Sequence, residues 1–214
     1  MITLPTMATN GCKMTWINTI HSSAAKGRLK DLYQRITSSS GQIDNILLAH
    51  SLRPHTLAGH MALYKAVLHH PANQVEKWFL EAIGVYVSRL NQCNYCDRHH
   101  SEGLKRLLDN QQRYQVYRKA LNRKAPGEPF SEAEQAVLAY VRKLTRDPAS
   151  VQQTDCDGLR QAGYTDGEIL EINQVAAYFA YANRMVTGLG IDSSGEQLGL
   201  SPGDSEDPEN WQHG

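Results

Sequence analysis

The chain has 214 residues, 41% hydrophobic and 21% charged, a balance suited to a globular domain with enough chain for a sizeable core. Its 22 basic and 22 acidic side chains cancel, which argues against nucleic acid or an anionic membrane as the main partner. No apolar run approaches the ~18 residues of a membrane span, and the opening MITLPTMATNGCKMTW lacks the basic and apolar regions of a secretory signal, so the expected compartment is the cytoplasm.

Residues 1–13 read as a flexible leader. In "AAKGRLKDLYQRIT", Leu29, Leu32, Tyr33 and Ile36 recur at helical spacing. "RPHTLAGHMALYKAVLHH" opens on Pro54, which suits a first helical turn, and sets Leu57, Met61, Tyr64, Val67 and Leu68 on one stripe. Asn73 is placed to cap "QVEKWFLEAIGVYVSRL", which is apolar around most of its circumference and therefore expected to be buried. A cysteine-bearing segment follows to Leu108, then "QQRYQVYRKALNR" after Asp109 and Asn110. The loop "KAPGEPF" is the clearest internal break. Beyond it, Ser131 and Glu134 form a capping box for "EAEQAVLAYVRKLT", which Asp147-Pro148 ends. "VQQTDCDGLRQAG" is a short helix stopped at Gly163, and Thr165 with Glu168 caps "ILEINQVAAYFAYANRMVTGL".

No alternating strand interrupts this succession, so residues 14–191 are expected to form an all-α domain, orthogonally packed or bundle-like. Residues 192–214 hold six acidic side chains and no Lys or Arg, and read as a solvated, disordered acidic tail.

Four cysteines occur, of which Cys12 and Cys156 sit in polar surroundings and read as unpaired bystanders. The stretch "RLNQCNYCDRHHSEGL" is different, with Cys93, Cys96, His99 and His100 inside eight positions. A structural zinc site wants four ligands. Cys93, Cys96 and one of the two histidines supply three, and His50, His55, His60, His69 or His70 could supply the fourth. A redox pair needs only the C-x-x-C spacing, at which two thiols can approach and cross-link. On a helix, Cys93 and Cys96 lie i, i+3 and Cys96 and His100 lie i, i+4, all on one face, while His99 points about a quarter turn away. A first helical turn favours thiolate. Glu81 is the only carboxylate between Trp78 and Leu90. If the chain doubles back at Asn91 and Gln92, Glu81 and His100 stand about equally far from the bend, and carboxylate, imidazole and thiol form a proton relay in outline. The residues alone leave the zinc and redox readings both open.

The remaining histidines between His50 and His70 are expected in surface or capping roles, although His55 or His60 could approach the active face. Tyr64, Tyr86, Tyr178 and Tyr181 fall on apolar stripes and read as core. Asn183 and Arg184 can pair internally or across a subunit seam.

Glu81, twelve positions before Cys93, followed by Cys93-x-x-Cys96-x-x-x-His100, resembles the core motif of the alkylhydroperoxidase D (AhpD) family of the carboxymuconolactone decarboxylase superfamily. The wider chain, from "MTWINTI" through "HSLRPHTLAGHMALYKAV" and "VSRLNQCNYCDRHH" to "YFAYANRMVTGLG", resembles the peroxidase-related branch. The resemblance implies an AhpD-like all-helical fold, assembly as a homo-oligomer (trimer or hexamer) and thiol-dependent reduction of a hydroperoxide, with no cofactor. Carried over, Cys96 is the peroxidatic thiol, Cys93 the resolving thiol, and His100 with Glu81 the relay that deprotonates, through water. The reductant is a thiol or lipoyl-type donor that the sequence does not name. Lactone decarboxylation, found elsewhere in the superfamily, needs no paired thiols, and the C-x-x-C counts against it. One position departs from the pattern: Tyr95 stands where related proteins carry a second histidine, and a tyrosine is not a base near neutral pH.

Overall fold

A computed structural model describes residues 14–213, apart from 39, 124, 204 and 208; the expected leader lies outside the described residues. The described residues form the helices α1 (Gly27–Ile36), α2 (Asn45–Ala49), α3 (Pro54–Leu68), α4 (Lys77–Leu90), α5 (Asn94–Leu108), α6 (Gln111–Leu121), α7 (Glu132–Arg146), α8 (Gln153–Gln161) and α9 (Asp166–Leu189). Among them there is no strand, only an isolated bridge between Pro202 and His213. None of these helices is long and apolar enough to cross a membrane.

The chain organises itself around α4, which packs against α5, α7 and α9. From Phe79 to Leu90 every side chain except Arg89 is buried, as the apolar circumference of this segment requires. Close seating of α9 depends on Gly84, where a Cβ would fall 2.2 Å from the Phe179 ring. The stripes on α1 and α3 also point inward, with Leu29, Leu32, Tyr33, Ile36, Leu57, Met61, Tyr64, Val67 and Leu68 all buried.

Caps set the ends. Pro54 begins α3, and the boxes Ser131/Glu134 and Thr165/Glu168 open α7 and α9. Asn73 does not cap α4. Its amide donates to the Val67 carbonyl, Glu76 takes the N-cap position, and the Glu171 carboxylate of α9 accepts from the Gln74 and Val75 backbone N–H groups. A partner from ninety-odd residues away replaced the local one. Helix α2, five residues long, is too short for periodicity to reveal.

The segment after α9 is not a solvated tail. Trp211 and His213 are buried, and the strap they end lies across the helical body. Charge explains why the composition misleads. Arg35 donates to the Glu209 carbonyl, pairs with the Glu209 carboxylate at 3.4 Å, and stacks its guanidinium 4.0 Å from the Trp211 ring centre. Arg106 donates to the Gly199 carbonyl and to Ser201 Oγ, Lys65 donates to the Gly203 carbonyl, and the Asn45 N–H donates to Glu196 Oε2 at 2.6 Å. The acidic strap is held by cations and amides of the helices rather than by an apolar stripe of its own.

Candidate active site

The turn between α4 and α5 delivers the cysteines. Asn91 caps α4, Gln92 adopts the left-handed conformation (φ 59), and the Cys93 N–H reaches back to the Ser88 carbonyl at 2.8 Å while the Gln92 N–H bonds that of Arg89 at 3.1 Å. These two bonds are a Schellman motif, here with glutamine where glycine is usual. The motif makes Cys93 at once the exit from α4 and the N-cap of α5, so that Cys96 falls in the first turn of α5. The two sulfurs are buried and in direct contact, the arrangement from which a disulfide can close.

Because α5 returns antiparallel along α4, Glu81 and His100 meet. His100 Nδ1 lies 2.8 Å from Glu81 Oε2, and a carboxylate partner makes Nδ1 the donor, leaving the Nε2 lone pair as the basic site. Glu81 is buried, and Gly103 clears space for it, since a Cβ there would sit 3.1 Å from Glu81 Oε1. The His100 ring is held edge-on by Phe179 and Tyr64, at 4.5 and 6.1 Å between centroids. Cys96, His100 and Glu81 line one cavity, with no direct hydrogen bond from His100 to Cys96. Cys93 faces away, into a separate groove with Thr187 and Asp192.

The thiols differ electrostatically. Burial pushes the Cys96 thiol well up, whereas hydrogen bonding from Cys96 pulls the Cys93 thiol down. The resting pair therefore gives up its first proton from Cys93. That runs against a simple reading in which the attacking thiol is the more acidic one, but only Cys96 shares the cavity with the imidazole. Asn183 of α9, buried, hydrogen-bonds Cys96; its Nδ2 also donates to Ser88 Oγ at 3.1 Å, and its Oδ1 accepts from Asn91 at 2.9 Å. The pairing of Asn183 is thus internal, and its carboxamide lowers the cost of charge on Cys96.

The four sequence-derived residues, Glu81, Cys93, Cys96 and His100, are brought together. Other expectations change. His99, expected about a quarter turn from the Cys96 face, is buried and lines the same cavity, with Nε2 3.0 Å from Glu196 Oε1 and its ring stacked on Tyr95 at 4.5 Å. Tyr95 accepts from the Ile46 N–H and donates to Glu196 at 3.3 Å; burial raises its hydroxyl pKa further, so it serves as an anchor and not as a base. His50, His60 and His69 are buried, while His55 is exposed. Tyr64, Tyr86 and Tyr178 are core, whereas Tyr181 stays 39% exposed. Among the described residues no group of three or more His, Cys, Asp or Glu is placed to hold a metal ion. The cavity also takes in Asp44, His60 and, from the strap, Gly199, Leu200, Ser201 and His213. Nothing local flagged Asp44, Glu196 or His213, because their roles depend on contacts between stretches far apart in the chain, His99 with Glu196 and Asp44 with His213.

No family model matches the sequence, and no curated protein does. Solved structures do match. The chain shares the fold of the alkylhydroperoxidase AhpD core: an uncharacterized peroxidase-related protein from Ralstonia eutropha JMP134 superposes with a TM-score of 0.75 at 22% identity, over 86% of this chain and 95% of that one. A second uncharacterized peroxidase-related protein, from Silicibacter sp. TM1040, gives 0.73 at 22% identity, over 87% and 95%. The debrominase Bmp8, in a variant complexed with 2,3,4-tribromopyrrole, gives 0.66 at 19% identity, over 86% and 93%. The fold is therefore AhpD-like and houses more than one activity.

Proposed function

We propose that the protein is a cytoplasmic thiol-dependent peroxidase acting through Cys96 and Cys93. The observation that carries this reading is that Cys96, in contact with Cys93, shares one cavity with the hydrogen-bonded Glu81–His100 dyad. His100, oriented by Glu81, takes the Cys96 proton across a water. The Cys96 thiolate attacks the terminal oxygen of ROOH, the O–O bond breaks, and the alkoxide leaves as ROH with the proton held by His100. Cys93 then attacks the sulfenic sulfur of Cys96; the S–S bond forms and hydroxide leaves, protonated, as water. Two electrons have passed from the dithiol to the peroxide. A thiol or dithiol donor, lipoyl-type donors included, restores the pair by exchange. The cavity volume of ≈ 40 Å³ holds about three waters, a better match to a peroxide than to a polyhalogenated ring. The working form in this proposal is a homo-oligomer, trimer or hexamer, for which exposed Leu63 and Leu170 offer apolar surface. The test is stoichiometric: reduced protein should lose two thiols per hydroperoxide consumed and gain one disulfide. Peroxide left untouched by fully reduced protein would defeat the proposal.

A further inference from the structure

The cavity has a second wall that the thiol chemistry does not use. Asp44 Oδ1, His60 Nδ1 and both ring nitrogens of His213 are buried without a hydrogen-bond partner, and all three residues line the cavity. They come from three separate elements: the N-cap of α2, the middle of α3 and the end of the strap. His213 Nδ1 lies 3.8 Å from Asp44 Oδ2, too far for a hydrogen bond. Buried polar atoms are nearly always paired, so a set of orphans around a cavity is what a bound molecule would complete.

The wall also states the charge of that molecule. Burial lowers His60 to about 3 and His213 to about 4, so both are neutral at pH 7. Burial raises Asp44 to about 7, so near neutrality it is protonated in roughly half of the molecules. The other titratable groups lining the cavity are Glu81 with His100, His99, which is paired outside it with Glu196, Cys96, the hydroxyls of Tyr64, Tyr95 and Tyr178, and Arg106, whose guanidinium donates to the Gly199 carbonyl and Ser201 Oγ. An anionic ligand would meet carboxylates and displace existing bonds to find a cation. An undissociated hydroperoxide group, with one O–H donor and two acceptor oxygens, suits the unpaired atoms.

We propose that Asp44, His60 and His213 form the substrate-recognition subsite and that the substrate is a compact, uncharged hydroperoxide. The inference rests on the peroxidase reading for its substrate but not for its charge selection, and the two can be tested apart. Iodoacetamide and iodoacetate are nearly equal in size, differ by one charge, and alkylate thiols without peroxide chemistry. In full-length Cys93→Ser protein at pH 8, with sites assigned by peptide mass spectrometry, Cys96 should prefer the amide at least tenfold more than Cys156 does. Asp44→Asn should cut that excess severalfold. A preference within twofold of that at Cys156, or one indifferent to Asp44→Asn, would overturn the subsite. In the wild-type chain, single-turnover oxidation should run at least tenfold faster with the methyl ester of a small carboxylate-bearing hydroperoxide than with the acid. If neither hydroperoxide oxidises the pair although iodoacetamide still discriminates, the substrate assignment and the peroxidase reading fall together while the charge-selective subsite stands. If acid and ester react equally, the peroxidase reading stands and the recognition proposal fails.

Discussion

The α4–α5 hairpin and the C-terminal strap build the same cavity by opposite means. The hairpin is held by burial: eleven of the fourteen residues of α4 are buried, and a glycine contact seats α9 on it. The strap has no helix, and its hold on the body is mostly polar, through Arg35, Asn45, Lys65, His99 and Arg106, with Trp211 as its main buried apolar group. Yet the hairpin supplies the reacting groups, and the strap supplies Gly199, Leu200, Ser201 and His213 to the cavity wall. Chemistry that requires fixed geometry sits on the rigid region, while closure of the site sits on the region whose bonds water can most easily replace.

The comparison breaks first at the relay. Glu81→Gln removes the carboxylate that orients His100, and the single-turnover oxidation rate, followed by thiol titration after rapid mixing, should fall about a hundredfold, the lower end of what a positioned base contributes. A fall of less than threefold would mean that the dyad is structural. Next in size is the packing of the hairpin. Gly84→Ala drives a methyl group toward Phe179, and overpacking of this kind costs about 1–3 kcal/mol in denaturant unfolding. The strap should behave differently. Ending the chain at Ile191 should leave the helical circular dichroism of the body nearly intact, yet speed alkylation of Cys96 severalfold; unfolding on truncation would show that the two regions are not separable in this way.

Acid sensitivity sharpens the contrast further. Burial depresses His213 to about 4 and His60 to about 3, so the unfolded chain binds more protons as pH falls below 6.5. Their contribution to stability is present above pH 6.5 and is lost as pH drops toward 4. Asp44 has the opposite sign: raised to about 7, it contributes fully below pH 3.8, and that contribution is lost as pH rises to about 7. His213→Gln should therefore flatten the acid side of a melting-temperature profile between pH 6.5 and 4, whereas Asp44→Asn should steepen it, because it removes the loss of stability that Asp44 brings as pH rises from about 4 to 7. An unchanged profile in both variants would mean that these side chains are solvated.

The difference between the regions is also a difference in what can be read from a chain. Helical periodicity showed α1, α3, α4, α7 and α9 because burial repeats every three or four residues along them. The Glu81–His100 meeting was legible because a single reversal at Asn91 and Gln92 relates the two. Asn183 drew notice without a direction, since a polar residue on an apolar helix has several possible partners. The strap was misread because its partners are Arg35, Asn45, Lys65 and Arg106, none of them nearby in sequence, so its composition matched that of a solvated tail. Asp44 gave no signal at all, as its unusual pKa comes from burial that three distant elements produce together.

The central claim is that Cys96 attacks, although the Cys93 thiol is the one held down and Cys96 the one pushed up by burial. The most direct measurement is to treat reduced Cys93→Ser protein with one equivalent of hydroperoxide and locate the oxidised sulfur by trapping and peptide mass spectrometry, with Cys96→Ser as the companion. The account predicts a trapped sulfenate on Cys96 in the first protein and no peroxide consumption in the second. A sulfenate on Cys93 in the Cys96→Ser protein, with continued consumption of peroxide, would contradict it.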